Sequence, residues 1–240
     1  MKEKMKVEIW SDVMCPFCYI GKRRFEKALA NFKDKDEIEV VWKSFQLNPN
    51  MVTNANISTT ENLAKSKGWT LEYTRQMSNH VTQMAAGEGM LFDFDKAVVA
   101  NSFNAHRLLQ FAKTLGKGDE LKEVLLYAYF TDGKNTDDDE TLFALAAKIG
   151  LPEQEAKNVI ENKTLFAEKV HADVLEAQRF GIQGVPFFVV DRKYGISGAQ
   201  EVSAFSQTLE KAFGEWQAAQ PKNKLETIKG AVCTPDVDCE

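Results

Sequence analysis

Cys15 and Cys18, in the stretch SDVMCPFCYIGKRRFEKAL, are two thiols at a spacing suited to chemistry. A thiolate is the reactive form of cysteine, and a free thiol with a pKa of about 8.5 is mostly protonated at neutral pH. The residues before the pair read as a strand and those after it as a helix. At the first turn of a helix, unpaired N–H groups and the macrodipole both favour negative charge. Cys15 is therefore expected to be accessible and readily ionised. Cys18 falls one turn deeper, near enough to close a disulfide yet less exposed. The positions imply that Cys15 attacks and Cys18 resolves. Pro16 suits the first helical turn, where its missing N–H costs nothing, and it stiffens the small ring. Phe17 adds no charge, so any lowering of the Cys15 pKa has to come from the helix start and its neighbours.

A second stretch, GVPFF, offers the other half of a site. Pro186 can be read simply as a strand-entry residue. The sharper reading is a cis Val185–Pro186 bond in a tight turn. Set against the cysteines, such a loop would present the Val185 backbone to an extended substrate by strand-like pairing, which tolerates many sequences. Pro16 and Phe17 join Val185 and Pro186 as expected substrate contacts.

The elements that must position these groups follow from periodicity. MKVEIW alternates, with Val7 and Ile9 on one face, and reads as a strand. Phe25, Ala28, Leu29 and Phe32 mark an amphipathic helix, and IEVVWKSFQL a second, largely buried strand. This is a βαβ unit with the cysteines at the helix entrance. Helical patterns fill the middle with no convincing strand: Leu108, Phe111, Ala112 and Leu115; Leu121, Val124, Leu125 and Ala128; Leu142, Leu145, Ala146 and Ile149. Acidic residues Asp137 to Glu140 read as the solvated start of the third of these helices rather than a metal site. Gly150 can end that helix and Pro152 open the next. GVPFFVV, the turn DRKYG and GISGA read as a hairpin, and EVSAFSQTLEKAFGEW as a last helix. Between Phe45 and Pro186 lie 140 residues, whereas a crossover needs only about a dozen. The excess implies an inserted helical domain. The expected class is α/β: a thioredoxin fold from 1–52 and 165–220, a helical insertion at 53–164, and a mobile tail at 221–240 carrying Cys233 and Cys239.

Bulk properties narrow the partners. The chain has 240 residues, 44% hydrophobic and 27% charged, with a net charge of −5. That is an ordinary globular composition with no basic footprint for nucleic acid. No apolar run is long enough to span a bilayer, and no secretory signal pattern opens the sequence, so a cytoplasmic location is expected. In that compartment four cysteines point to catalysis or metal binding before structural disulfides. A zinc module built from Cys15, Cys18, Cys233 and Cys239 is the bland alternative, but five residues between the tail cysteines is poor zinc spacing. The tail pair reads equally as a shuttle to the Cys15–Cys18 disulfide or as a bystander. His106, in NAHR, reads first as a satisfied helix histidine.

SDVMCPFCYIGKRRFEKAL, WKSFQLNP, NSFNAHRLLQFA, YFTDGKN and GVPFFVVDRKYGISGAQ together resemble the DsbA-like thioredoxin superfamily, and within it the FrnE-type group of cytoplasmic oxidoreductases. The resemblance covers nearly the whole chain. It implies thiol–disulfide exchange with a protein or small-molecule substrate through a mixed disulfide, with no required cofactor and no metal. Cys15 is then the nucleophile, Cys18 the resolving thiol, and Val185–Pro186 the substrate loop. It also places Asn104 and His106 near the active-site face as candidate contacts. Phe17 departs from the histidine that the periplasmic oxidant DsbA carries between its cysteines, so a reductase or isomerase role is as well supported as an oxidase. The rival resemblance is to kappa-class glutathione transferases and 2-hydroxychromene-2-carboxylate isomerases, which use a serine where this chain has Cys15. It implies glutathione as a candidate redox partner near Val185, Ser197 and Gln200.

Overall fold

In the central strand β1 (Met5–Ser11) only Lys6 faces solvent, as required of a strand covered on both sides. The computed structural model describes residues 3–220; Cys233 and Cys239 lie outside them. β1 pairs in parallel with β2 (Ile38–Ser44), Val7 opposite Val40, and antiparallel with β5 (Phe187–Val190), Ile9 opposite Phe188. β5 turns back into β6 (Tyr194–Ser197), giving the order β2-β1-β5-β6. This is a mixed α/β thioredoxin-type sheet.

Alternation along the strands divides the side chains between two layers. Ile9 and Phe188 join Phe25 of α1 (Pro16–Ala30) and Phe205, Leu209 and Phe213 of α9 (Val202–Ala219) in one core. Trp10 and Val189 face the other way, into a cluster with Ala177 of α8 (Ala167–Arg179). There the Trp10 indole N–H donates to the Asp173 carbonyl at 2.8 Å. The Asp173 carboxylate accepts from the Ser44 N–H at 2.8 Å and the Gln110 amide at 2.5 Å, pinning the end of β2 beneath the insertion.

The insertion holds α2 (Thr59–Lys67), α3 (Leu71–Gly87), α4 (Phe103–Thr114), α5 (Gly118–Phe130), α6 (Asp139–Lys148) and α7 (Glu153–Glu161). Leu108, Phe111, Ala112, Leu121, Leu125, Ala128, Leu142, Leu145 and Ala146 share one core, as their spacing requires. Leu115 does not join them: it caps α4, 44% exposed, just before Gly116 at φ 71°. The expectation of a strand-free middle is also corrected. β3 (Asn54–Ser58) and β4 (Val98–Val99) form a short antiparallel ribbon. β3 reads Asn-Ala-Asn-Ile-Ser: it alternates over only five residues and buries none of them, Ile57 included, so no core-facing stripe marks it. Acid does load the front of α6, where Asp138 accepts from the Thr141 N–H at 2.8 Å; Gly150 at φ 68° follows that helix, and Pro152 caps α7.

Arg107, fully buried on α4, closes the far end of α7. Its guanidinium donates to the carbonyls of Val159 (2.6 Å), Asn162 (2.9 Å), Leu165 (3.1 Å) and Ile160 (3.3 Å). Methionine at this position would fill the space and leave those acceptors unpartnered. Arg107→Met is expected to lower unfolding stability by about 3 kcal/mol, read as a drop in the denaturation midpoint in urea.

Candidate active site

Cys15 is the N-cap of α1, in extended backbone with φ −96° and ψ 113°, and Pro16 follows as the first helical residue. The Cys15 N–H donates to the Asp12 carbonyl at 3.3 Å, and the Cys18 N–H donates to the Cys15 carbonyl at 3.0 Å. Both N–H groups thus meet backbone carbonyls, and the Cys18 N–H also acts on Cys15 to lower its pKa in part. Opposite stands the loop before β5, whose Val185–Pro186 peptide bond is cis. The Cys15 thiol donates to the Val185 carbonyl at 3.4 Å. The Gly198 N–H donates to the Pro186 carbonyl at 2.8 Å and holds the loop from the β6 side.

Both cysteines are free thiols, and both are enclosed: Cys15 is 3% exposed and Cys18 1%. The expectation of an openly accessible Cys15 is corrected. Its access is to a cavity of about 560 Å³ bounded by α2 and α3; Cys15, Pro16, Phe17 and Val185 line it, and Cys18 does not. Phe17, 38% exposed, stands between the two cysteines at the surface.

A second correction concerns protonation. The Cys15 pKa is raised by its hydrogen bond to Cys18, by burial, and by the negative charges of Cys18 and Asp12. Burial also works against the Cys18 thiolate, yet the Cys15 thiol and the Lys122 cation outweigh it and lower the Cys18 pKa. In the resting dithiol the proton is thus held more tightly on Cys15, the thiol facing an acceptor carbonyl, than on Cys18, whose negative charge a cation favours. A helix start alone predicts the opposite order. The hydrogen bond from Cys15 and, after it, the Lys122 cation on α5 set that order.

That charge is unusual. Lys122 is fully buried, its Nζ has no hydrogen-bond partner, and the nearest aromatic ring, Trp42, lies 5.6 Å away. Burial pushes its pKa down to about 8, against the pull of Cys18, Asp12 and Cys15. Asp12, equally sealed, accepts from the Leu47 N–H at 2.8 Å and lies 3.3 Å from His106 Nε2. Burial raises its pKa, but His106 and the Leu47 N–H lower it further. Sequence reasoning missed Lys122 and Asp12. A signal existed for the lysine: Leu125, Leu126 and Tyr129, three, four and seven residues on, are all buried, so helical spacing puts Lys122 on the apolar face.

α1 is braced against the insertion at the same end. Tyr19 donates to Glu123 at 2.6 Å, Arg23 pairs with Glu123, and Lys22 pairs with Glu123 at 3.0 Å and Asp119 at 3.4 Å. Toward the loop, α1 comes so close that a Cβ on Gly21 would meet Pro186 Cγ at 2.9 Å and Phe188 Cζ at 3.4 Å.

The remaining candidates fall elsewhere. His106 is fully buried behind Asp12 and does not line the cavity. Asn104 is engaged by Asp137 at 2.7 Å and Arg107 at 3.0 Å. Ser197 pairs with Phe187 in the hairpin, and the Gln200 amide donates to the Ser197 carbonyl at 2.9 Å; neither lines the cavity. Among the described residues no three His, Cys, Asp or Glu side chains gather as metal ligands, and no helix is long and apolar enough to cross a membrane.

The profile of the DSBA-like thioredoxin domain family matches residues 6–210. The chain belongs to this family. Its DSBA-like fold recurs in a probable DsbA oxidoreductase from Streptomyces coelicolor, 38% identical with a TM-score of 0.83 over 98% of each chain. The cytosolic disulfide reductase DsbM from Pseudomonas aeruginosa shares the fold at 16% identity and a TM-score of 0.62, over 88% of this chain and 99% of its own. Among curated sequences, the uncharacterised protein YwbO of Bacillus subtilis (strain 168) is 28% identical over 205 residues, 85% of this chain and 94% of its own.

Two expectations follow for the DSBA-like dithiol. Lys122→Met removes the cation beside Cys18, so the first thiolate, followed by absorbance near 240 nm in the reduced protein, should appear about one to three pH units higher. Gly21→Ala should cost about 1–3 kcal/mol by overpacking against Pro186, whereas Gly87→Ala, with open space around it, should be neutral or gain up to about 1 kcal/mol. Paired urea denaturation curves read the contrast.

Proposed function

We propose that this DSBA-like chain is a thiol–disulfide oxidoreductase of the FrnE type, with Cys15 as nucleophile, Cys18 as resolving thiol and the Val185–Pro186 loop as substrate cradle. The observation that carries the reading is Cys15 Sγ at 3.4 Å from the Val185 carbonyl, in the wall of a cavity that Cys18 does not reach. Pro16 and Phe17 flank the same opening.

At rest the Cys15 hydrogen is given to the Val185 carbonyl and is held more tightly than that of Cys18. For Cys15 to become the nucleophile that hydrogen must leave, at a cost that binding of the substrate offsets, and the neighbouring Cys18 sulfur is the acceptor within the site. Cys15 attacks one sulfur of a substrate disulfide; that S–S bond breaks, a mixed disulfide forms on Cys15, and the departing thiolate takes up a proton. Cys18 then releases its proton and attacks Cys15 Sγ. The mixed disulfide breaks, the second substrate thiol leaves, and the Cys15–Cys18 disulfide remains. Two electrons have moved from the dithiol to the substrate, and the reverse sequence oxidises a substrate dithiol. Lys122 lowers the cost of negative charge on Cys18 when it attacks the mixed disulfide. Substrate pairing with the Val185 backbone would take the carbonyl that Cys15 occupies at rest, a contact compatible with protein or small-molecule disulfides.

Reduction of insulin by dithiothreitol provides the test. The chain should accelerate it, Cys15→Ser should return it to the rate of dithiothreitol alone, and Cys18→Ser should accumulate a mixed disulfide visible by mass. Equal activity of Cys15→Ser and the unaltered chain would overturn the assignment.

A further inference from the structure

We propose that the cavity beside Cys15 is a selective subsite for the half of a substrate disulfide that becomes bonded to Cys15, and that it takes a compact apolar arm of aromatic size in preference to a charged one. The proposal rests on the exchange chemistry above and specifies the substrate class for that site.

The cavity's composition carries the argument. Met14, Phe17, Leu63, Met77, Phe94 and Phe130 contribute to its walls, and its volume of about 560 Å³ falls in the range of small-molecule sites. Its polar lining is neutral apart from two groups, with the hydroxyls of Thr60, Ser78 and Tyr129 among it, and part of it is already engaged. The Thr59 hydroxyl donates to the Phe94 carbonyl at 3.0 Å, the Ser66 hydroxyl to the Leu63 carbonyl at 3.0 Å, and the Asn62 amide to Met51 Sδ at 3.8 Å. Charged groups among the lining residues are two: Asp12, already engaged by His106 and the Leu47 N–H, and Lys67, an exposed residue at the end of α2. An arm bearing several charges, such as a glutathione half with two carboxylates and an ammonium, would lose water here without matching partners. A phenyl group loses nothing of the kind and gains contact with flexible methionine thioethers, which adapt to its shape.

The chemistry balances with a dithiol as electron source. The reduced chain and R–S–S–R give the Cys15–S–S–R adduct and R–SH, then the Cys15–Cys18 disulfide and a second R–SH; dithiothreitol returns the two electrons and two protons. The arm R occupies the cavity in the adduct, so selectivity should reside in the first exchange.

The experiment measures kcat/KM of the full chain, with dithiothreitol as reductant, for bis(2-phenylethyl) disulfide, the bis(carboxyethyl) analogue and glutathione disulfide. Each value is divided by the uncatalysed rate of the same disulfide with dithiothreitol, which cancels intrinsic reactivity. The phenylethyl compound should exceed both charged compounds by roughly tenfold or more. Met77→Glu, which adds a carboxylate to a half-buried position of the wall, should lower that ratio by about tenfold. Cys15-dependent acceleration that is equal for all three, or greatest for a charged compound, would overturn the subsite and leave the oxidoreductase reading standing. No acceleration of any disulfide, insulin included, above the Cys15→Ser level would overturn the oxidoreductase reading itself.

Discussion

A thiol and a backbone carbonyl 170 residues apart in sequence meet at 3.4 Å where Cys15 faces Val185, and the site depends on that meeting. Neither segment could hold it alone. α1 brings the thiol and is clamped at its outer turn by the Tyr19, Lys22 and Arg23 contacts with α5. The loop brings the carbonyl and is held through Pro186 and Gly198. Between them only a missing side chain, at Gly21, lets helix and loop approach. The sheet fixes the scale: β1 and β5 are adjacent, so the residue groups at their ends are adjacent too.

The insertion does more than enlarge the domain. α5 supplies a buried cation that helps to lower the Cys18 pKa, and α2 and α3 shape the space into which Cys15 opens. A bare thioredoxin-like unit would have the dithiol and the loop but neither of these. Burying an ammonium without a hydrogen-bond partner is costly, and Lys122 is tolerated because Cys18 and Asp12 return part of that cost as charge attraction.

Much of this was legible in the sequence because it is local. The strand-to-helix handover at Cys15, the hairpin around the turn at 191–195 and the three apolar stripes of α4, α5 and α6 each follow from periodicity within a dozen residues. Leu115 failed because a stripe continues on paper past the point where Gly116 ends the helix. β3 failed because its pairing is carried by backbone groups, with its apolar Ala55 and Ile57 exposed as fully as its polar residues. The protonation order of the cysteines failed for a different reason: a helix-start argument counts nearby N–H groups, and it sees neither the hydrogen bond between the two thiols nor a lysine more than a hundred residues away in sequence. A charged residue on an apolar helix face was the available clue for Lys122; Asp12, in the loop between β1 and α1, carried no such mark.

The carbonyl of Val185 has one further consequence. In the dithiol it accepts the hydrogen of Cys15; in the disulfide state that we propose, that hydrogen would be gone and the carbonyl would lose its donor. Any polypeptide that pairs there competes with an internal donor in one oxidation state and with none in the other. Thermodynamic reciprocity then requires that such a ligand, by favouring the joined state, make the protein a better electron donor while it is bound. Occupancy of the loop and the electron affinity of the sulfurs are two readings of a single equilibrium.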